Sequence, residues 1–228
     1  MASSVQTKAN PATVQTVDRT VAGGWLVATG LAGVVVTSVL YALSPAQTVL
    51  PSGAADLFQA RALAAGGSAT IRAAGAIGVI GDSMFAVGAI LLATRDRPGP
   101  IAAVIGWAMI SLCAVVFTLV DSMACFALVQ SAGDPAAFAA IKLLFDALFI
   151  AGTLATGIGM ILLFALREAC DDSLLGSAGL LAGCGCIAGV LGCLVGLPAG
   201  QLVGLSIALS SLCGAVLGFR IARKAGSA

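Results

Sequence analysis

Six long apolar segments dominate this chain, and each is about as long as a lipid bilayer is thick. A bilayer core of about 30 Å requires ~20 helical residues, because an α-helix rises 1.5 Å per residue. The segments are residues 21–43, 73–94, 101–129, 136–166, 174–197 and 202–221. The sequence therefore predicts an all-α polytopic membrane protein, a bundle of six transmembrane helices.

The charge content agrees with a lipid environment. Hydrophobic residues make up 60% of the chain and charged residues 9%, whereas about 25% is usual for soluble domains. So few charges would not cover a water-exposed surface, so the bilayer is the expected partner. The net charge of +1 and the lack of a basic run argue against nucleic acid.

The predicted transmembrane domain is residues 21–222, between a disordered tail at 1–20 and a short tail at 223–228. We expect the first helix to be uncleaved, because its apolar run is too long for a signal peptide. Ser52 is expected to cap a short amphipathic helix over 53–65, which Gly66 and Gly67 would end. Its Leu57, Phe58 and Leu63 would rest on the membrane surface. Asp134 and Pro135 form an expected N-cap and first turn of the fourth span.

Lysine and arginine are distributed unequally between the two ends of the predicted bundle. The richer end holds Lys8, Arg19, Arg95, Arg97, Arg167, Arg220, Arg223 and Lys224, and the other holds Arg61, Arg72 and Lys142. Because basic residues favour the cytoplasmic side, both termini are expected there, in the inner membrane if the source is a bacterium.

Histidine is absent, which excludes His-ligated haem, His-ligated zinc and Ser-His-Asp catalysis. No metal site, catalytic residue or cofactor is predicted. The seven cysteines are expected to be small packing residues, because most lie in apolar stretches. Trp25 and Trp107 are expected to be interfacial anchors near the cytoplasmic ends of their helices.

Three aspartates within the apolar segments need an explanation, since a lone carboxylate in hydrocarbon costs several kcal/mol. Asp82 is near the middle of the second span, while Asp121 and Asp146 fall in the outer halves of theirs. We expect Asp121, Lys142 and Asp146 to meet at one depth. Two interpretations stay open: a polar cavity that opens outward, with Asp82 at its floor and a proton or cation bound there, or a structural clamp between helices.

The fifth span is rich in glycine. Gly185 and Gly189, like Gly192 and Gly196, are four residues apart and form a groove that a helix backbone can approach. The groove is expected to pack against a neighbouring helix of the same chain, or to be the contact face of a homo-oligomer or a larger membrane complex.

Several short motifs resemble a family of uncharacterised bacterial six-pass membrane proteins. They are Arg72 with Gly81-Asp82, Gly99-Pro100 with Gly106-Trp107, and Leu144-Phe145-Asp146-Ala147. The family has a histidine shortly after the last motif, where Leu148 and Phe149 stand here. The resemblance implies the six-pass fold and adds no activity.

Three functions remain open from the sequence. A non-enzymatic accessory, assembly or scaffold subunit is preferred, because no site motif stands out. The alternative is a small proton- or cation-coupled transporter that uses the aspartates. An intramembrane enzyme is weakest, since the glycines before Asp82 do not match the Gly-x-Gly-Asp motif of aspartyl proteases. A path to Asp82 from one side would favour the transporter, and a glycine-lined outer face without a cavity would favour the subunit.

Overall fold

A computed structural model describes residues 18–42, 57–95, 100–165, 173–197 and 199–227. Within these residues the elements are helical: α1 (Arg19–Ala42), α2 (Leu57–Gly66), α3 (Ser68–Ala93), α4 (Ile101–Ser122, continued to Ser131), α5 (Pro135–Ala165), α6 (Ser173–Leu194) and α7 (Gly200–Gly226). All but α2 are long and apolar enough to cross a membrane. The prediction of an all-α bundle with six membrane-spanning helices is confirmed.

Local chemistry explains several helix ends. The Asp134 carboxylate accepts hydrogen bonds from the backbone N–H groups of Ala136 and Ala137, at 2.9 and 3.2 Å, so α5 begins at Pro135 as expected. α6 ends at Leu194 and is followed by Gly196, whose φ of 81° suits a residue without a side chain. There the Leu197 N–H donates to the Gly192 carbonyl, the pattern of a Schellman C-cap.

The six spanning helices form a ring. Each packs against the next along the chain, and α7 closes the ring by packing against α1. We call the end where α1 begins and α7 ends the termini end, and the opposite end, where α2 lies, the α2 end. The outward surface is apolar, with Ile80, Leu181 and Leu205 each more than 60% exposed. A ring with this surface suits lipid outside and leaves its axis for polar groups.

The α2 end is filled by a core cluster. Ala60 and Ala64, one turn apart on α2, are fully buried and join a cluster that includes Tyr41, Phe138 and Phe145. α2 therefore docks on α3 and α5. Its end at Gly66 matches the prediction, whereas the expected Ser52 cap and residues 53–56 lie outside the described residues, as do residues 1–17 of the tail. The side chains of Leu57, Phe58 and Leu63 also lie outside them.

The predicted glycine groove of α6 is used inside the chain. Side chains at the start of α7, and of the residue just before it, fill the groove. A Cβ atom added at Gly185 would meet Ser206, one at Gly189 would meet Val203, and one at Gly192 would meet Ala199. Gly196 instead forms the C-cap. Packing between α6 and α7 thus accounts for the spacing, while contact with another protein stays a prediction.

Candidate functional site: a carboxyl pair inside the ring

The carboxyl groups of Asp82 and Asp121 are hydrogen-bonded to each other between α3 and α4. Both residues are buried, with 2% and 8% of their surface exposed. An ionised carboxylate only accepts hydrogen bonds, so a bond between two carboxyl groups requires a proton on one of them. The pair is therefore a site that holds a proton within the membrane-spanning part of the chain.

This pairing differs from the sequence expectation, which placed Asp82 deeper than Asp121 and grouped Asp121 with Lys142 and Asp146. That expectation compared Cα depths. Side chains on a helix lean toward its own N-terminus. Because α3 and α4 are antiparallel, Asp82 leans toward the α2 end and Asp121 leans toward the termini end, so the two carboxyl groups meet.

Two glycines of α3 make room for this contact. A Cβ atom at Gly75 would lie 2.6 Å from the Asp121 carbonyl oxygen and 2.9 Å from the Cys125 backbone nitrogen. One at Gly78 would overlap the Asp121 carboxyl group itself. Gly78 is one helical turn before Asp82, so the absence of a side chain there lets Asp121 cross the face of α3 and reach Asp82.

The α4 helix changes its winding just after Asp121. Residues Met123–Leu128 form a π-helical segment before the α-helix resumes at Val129. In the preceding turns, Ser122 donates to the Thr118 carbonyl at 2.7 Å and Thr118 to the Ala114 carbonyl at 2.9 Å. π-Helical segments inside α-helices are frequent at functional sites. Here the segment packs against α3 beside the carboxyl pair.

Tyr41, at the end of α1, lies on the α2 side of the pair. It is 9% exposed and close enough to Asp121 and Asp82 to interact electrostatically with both. The sequence analysis did not single it out. Its only signal was that Tyr41 is the one tyrosine of the chain and lies at the end of a span.

Lys142 and Asp146 form a second, partly buried pair, apart from the first. The Lys142 Nζ and Asp146 Oδ1 atoms are 2.5 Å apart, one turn apart on α5, and Lys142 lies over the Phe145 ring. The lysine side chain is 2% exposed and the aspartate side chain 28%. The predicted contact between Lys142 and Asp146 is present, whereas Asp121 instead pairs with Asp82.

A small cavity reaches Asp82 from inside the ring. It offers about 30 Å³ to the centre of a water-sized sphere, enough for about two waters at 10–15 Å³ each. Its polar lining comes from Asp82, Cys113, Thr156, Ser210 and Ser211. The remaining lining is apolar, and Cys113 and Thr156 are hydrogen-bonded at 2.9 Å.

A much larger groove, which we call the vestibule, opens at the termini end. It encloses about 960 Å³, and its lining includes the cationic residues Arg95, Arg220, Arg223 and Lys224. Trp107 and Leu163 line both the vestibule and the small cavity, so these two side chains lie between the compartments. The sequence analysis expected a polar space that opens at the other end of the ring, and whether Asp82 is reached from either end stays a matter for experiment.

Trp107 also differs from its expected role. It is 4% exposed and forms an internal wall, not an interfacial anchor. Leu163 packs beside it into the notch at Gly106, where an added Cβ would lie 2.9 Å from the Leu163 Cγ atom. Trp25 is 45% exposed and packs edge-on against Phe219, which is compatible with the anchoring role.

No protein-family model matches the chain, and no curated protein and no solved structure is significantly similar to it. The resemblance to the six-pass bacterial family stays a prediction. What the fold and the site define is a multi-pass, all-helical membrane protein with a carboxyl pair at the inner end of a cavity.

Proposed function

We propose that the protein is a small secondary transporter in which the Asp82–Asp121 pair binds and releases the coupling proton. The observation that carries this proposal is the protonated carboxyl pair buried beside a cavity that lies below an open vestibule. Intramembrane acids that face a bundle interior commonly mark ion and proton pathways. The small cavity and the vestibule share Trp107 and Leu163, so movement of these two side chains would open the pair to the termini end, as alternating access requires of one of its two states.

Two features reverse the preference drawn from the sequence. The glycine groove of α6, which favoured an accessory subunit, is occupied by α7. A cavity reaches Asp82, and an accessory subunit has no need of such a cavity. Both features support a transporter over a scaffold.

An intramembrane aspartyl hydrolase is the second candidate, because two aspartates that share a proton are the reactive groups of such enzymes. The cavity beside the pair, however, has room for about two waters and not for a peptide. The space at the site therefore favours movement of a proton over cleavage of a chain.

The first test examines the shared proton in the purified protein. Infrared spectroscopy detects the C=O stretch of a protonated carboxyl group. When the pH is varied, the wild-type protein should show one such band, and the band should be absent from Asp82→Asn and from Asp121→Asn. Asp146→Asn is the matched control and should retain it. The same signal in all three variants would contradict a shared proton at this pair.

The second test examines transport. In proteoliposomes with a pH-sensitive dye inside, solutes from a panel of small anions, cations and amines are added to the outside. At least one solute should move protons with the wild-type protein and at least tenfold less with Asp82→Asn. Proton movement equal to that of empty liposomes for every solute would refute the transporter, and cleavage of a model transmembrane peptide would favour the hydrolase.

A further inference from the structure

The vestibule at the termini end has a chemical preference of its own. Arg95 follows the end of α3, and Arg220, Arg223 and Lys224 come from α7, so cations from two separate parts of the chain line one groove. No aspartate or glutamate of the described chain is among the lining residues. An excess of lysine and arginine at this end agrees with a cytoplasmic location. A cytoplasmic location does not, however, require these residues to line one groove.

One of these cations contacts an aromatic ring. The Arg223 guanidinium lies 5.7 Å from the centre of the Phe219 ring. Phe219 in turn packs edge-on against Trp25, with the ring centres 5.5 Å apart. Arg223 is exposed, so this contact favours one position of the guanidinium at the groove without fixing it there.

We infer that the vestibule binds a small organic anion, bearing a carboxylate or a phosphate group, and that this anion is the substrate that moves with the proton. Arg223 and Arg95 provide the charge, and the vestibule shares Trp107 and Leu163 with the small cavity that Asp82 lines. This inference rests on the proposed transporter function and adds its substrate class.

The electrostatics of the two compartments explain why an anion and a proton would move together. A carboxyl pair with one proton keeps one negative charge, which repels an anion that approaches it from the vestibule. A second proton removes that charge. The small cavity has room for about two waters, so the anion passes the pair only in a second conformation, and full protonation of the pair lowers the electrostatic cost of that passage, which is the coupling that a symporter needs.

The test is isothermal titration calorimetry on the detergent-purified full chain. The probes are sodium acetate, sodium phosphate, tetramethylammonium chloride, and micelles with and without phosphatidylglycerol. We expect acetate or phosphate to bind. Arg223→Gln should weaken binding at least fivefold, and Phe219→Leu, which removes the ring and keeps every charge, about twofold. Arg72→Gln removes an exposed arginine at the α2 end and is the matched control, with no expected change.

Several outcomes would overturn the inference. They are binding of tetramethylammonium in preference to the anions, equal weakening of anion binding by Arg72→Gln and Arg223→Gln, no anion binding, or binding of phosphatidylglycerol alone, which would assign the groove to a lipid headgroup.

Asp82→Asn separates this test from that of the transporter. It should remove the infrared carboxyl signal and leave binding in the vestibule intact. A wild-type protein with the carboxyl signal and without anion binding would retain the transporter proposal and refute this one.

Discussion

The two pairs of charged residues inside this bundle, one buried and one partly buried, are built in opposite ways. Lys142 and Asp146 are oppositely charged residues one turn apart on a single helix. Asp82 and Asp121 are two acids on different helices, joined by a hydrogen bond that depends on a shared proton. The first pair has its charges neutralised by its own members, whereas the second needs a proton from outside. The first therefore has the properties of a structural pair and the second those of a proton-binding site.

The largest expected effect on stability comes from breaking the pair on α5. Asp146→Asn leaves Lys142 charged and 1% exposed, without its carboxylate. Removing one partner of a buried ion pair typically costs about 3–5 kcal/mol, and the partly exposed Asp146 places the expected loss near 3 kcal/mol. Denaturant unfolding of the purified protein in detergent measures it.

The control for that prediction removes both charges. Lys142→Met combined with Asp146→Leu replaces the ion pair with apolar side chains, and its free energy of unfolding should be within about 1 kcal/mol of the wild type. If Asp146→Asn alone is as stable as the wild type, the pair on α5 is not a structural pair and the contrast with Asp82–Asp121 is lost.

The next effect concerns the space that lets the two acids meet. Gly78→Ala places a methyl group where the Asp121 carboxyl group lies, and overpacking of this kind typically costs about 1–3 kcal/mol. We expect a loss of about 2 kcal/mol in the free energy of unfolding, together with loss of the infrared signal of the shared proton.

Gly204 provides the matched control for Gly78, because nothing lies within 4 Å of a Cβ atom added there. Gly204→Ala should change the free energy of unfolding by no more than about 1 kcal/mol, in the stabilising direction, since alanine is the better helix former. Equal behaviour of the two variants would mean that Asp121 does not lie across Gly78.

The same contrast explains what could be predicted from the sequence. The six spans follow from length and hydropathy, and the contact between Lys142 and Asp146 follows from the i, i+4 spacing on one helix. The contact between Asp82 and Asp121 depends on the register of α3 against α4 and on the opposite lean of their side chains. Neither of these can be derived from the spacing of residues within one helix.

The location of the cavity was predictable only in part. The sequence placed Asp82 at the floor of a polar space, but the opening was expected at the outer end because Asp121, Lys142 and Asp146 were grouped there. Packing between distant segments fills part of that end instead: Ala60 and Ala64 of α2 join the cluster with Tyr41. An interfacial role for Trp107 was predicted from its depth, and only the packing of Leu163 into Gly106 shows that it forms an internal wall.

A smaller effect tests how firmly α3 is held beside the pair. The Thr37 hydroxyl of α1 donates to the Ala74 carbonyl of α3 at 3.2 Å, in a buried position. Hydrogen bonds between membrane helices are worth about 0.6 kcal/mol on average. Thr37→Val should therefore lower the free energy of unfolding by about 0.6 kcal/mol. Thr29→Val is the control, because the exposed Thr29 hydroxyl bonds within its own helix to the Trp25 carbonyl. A larger loss in Thr29→Val would argue against a fastening role for Thr37.

The smallest effect on stability is expected where the effect on function should be greatest. In Asp82→Asn, the amide N–H can donate to the Asp121 carboxylate in place of the shared proton, so the hydrogen bond and its single negative charge are both kept. The free energy of unfolding should therefore change by less than the ~0.6 kcal/mol expected for Thr37→Val, while proton binding is lost. Asp82→Leu offers no such donor and leaves the Asp121 carboxyl group buried without its partner, so it should be clearly less stable than Asp82→Asn. If Asn and Leu at position 82 destabilise the protein equally, the hydrogen bond contributes nothing, and Asp82 and Asp121 do not act as one proton-binding unit.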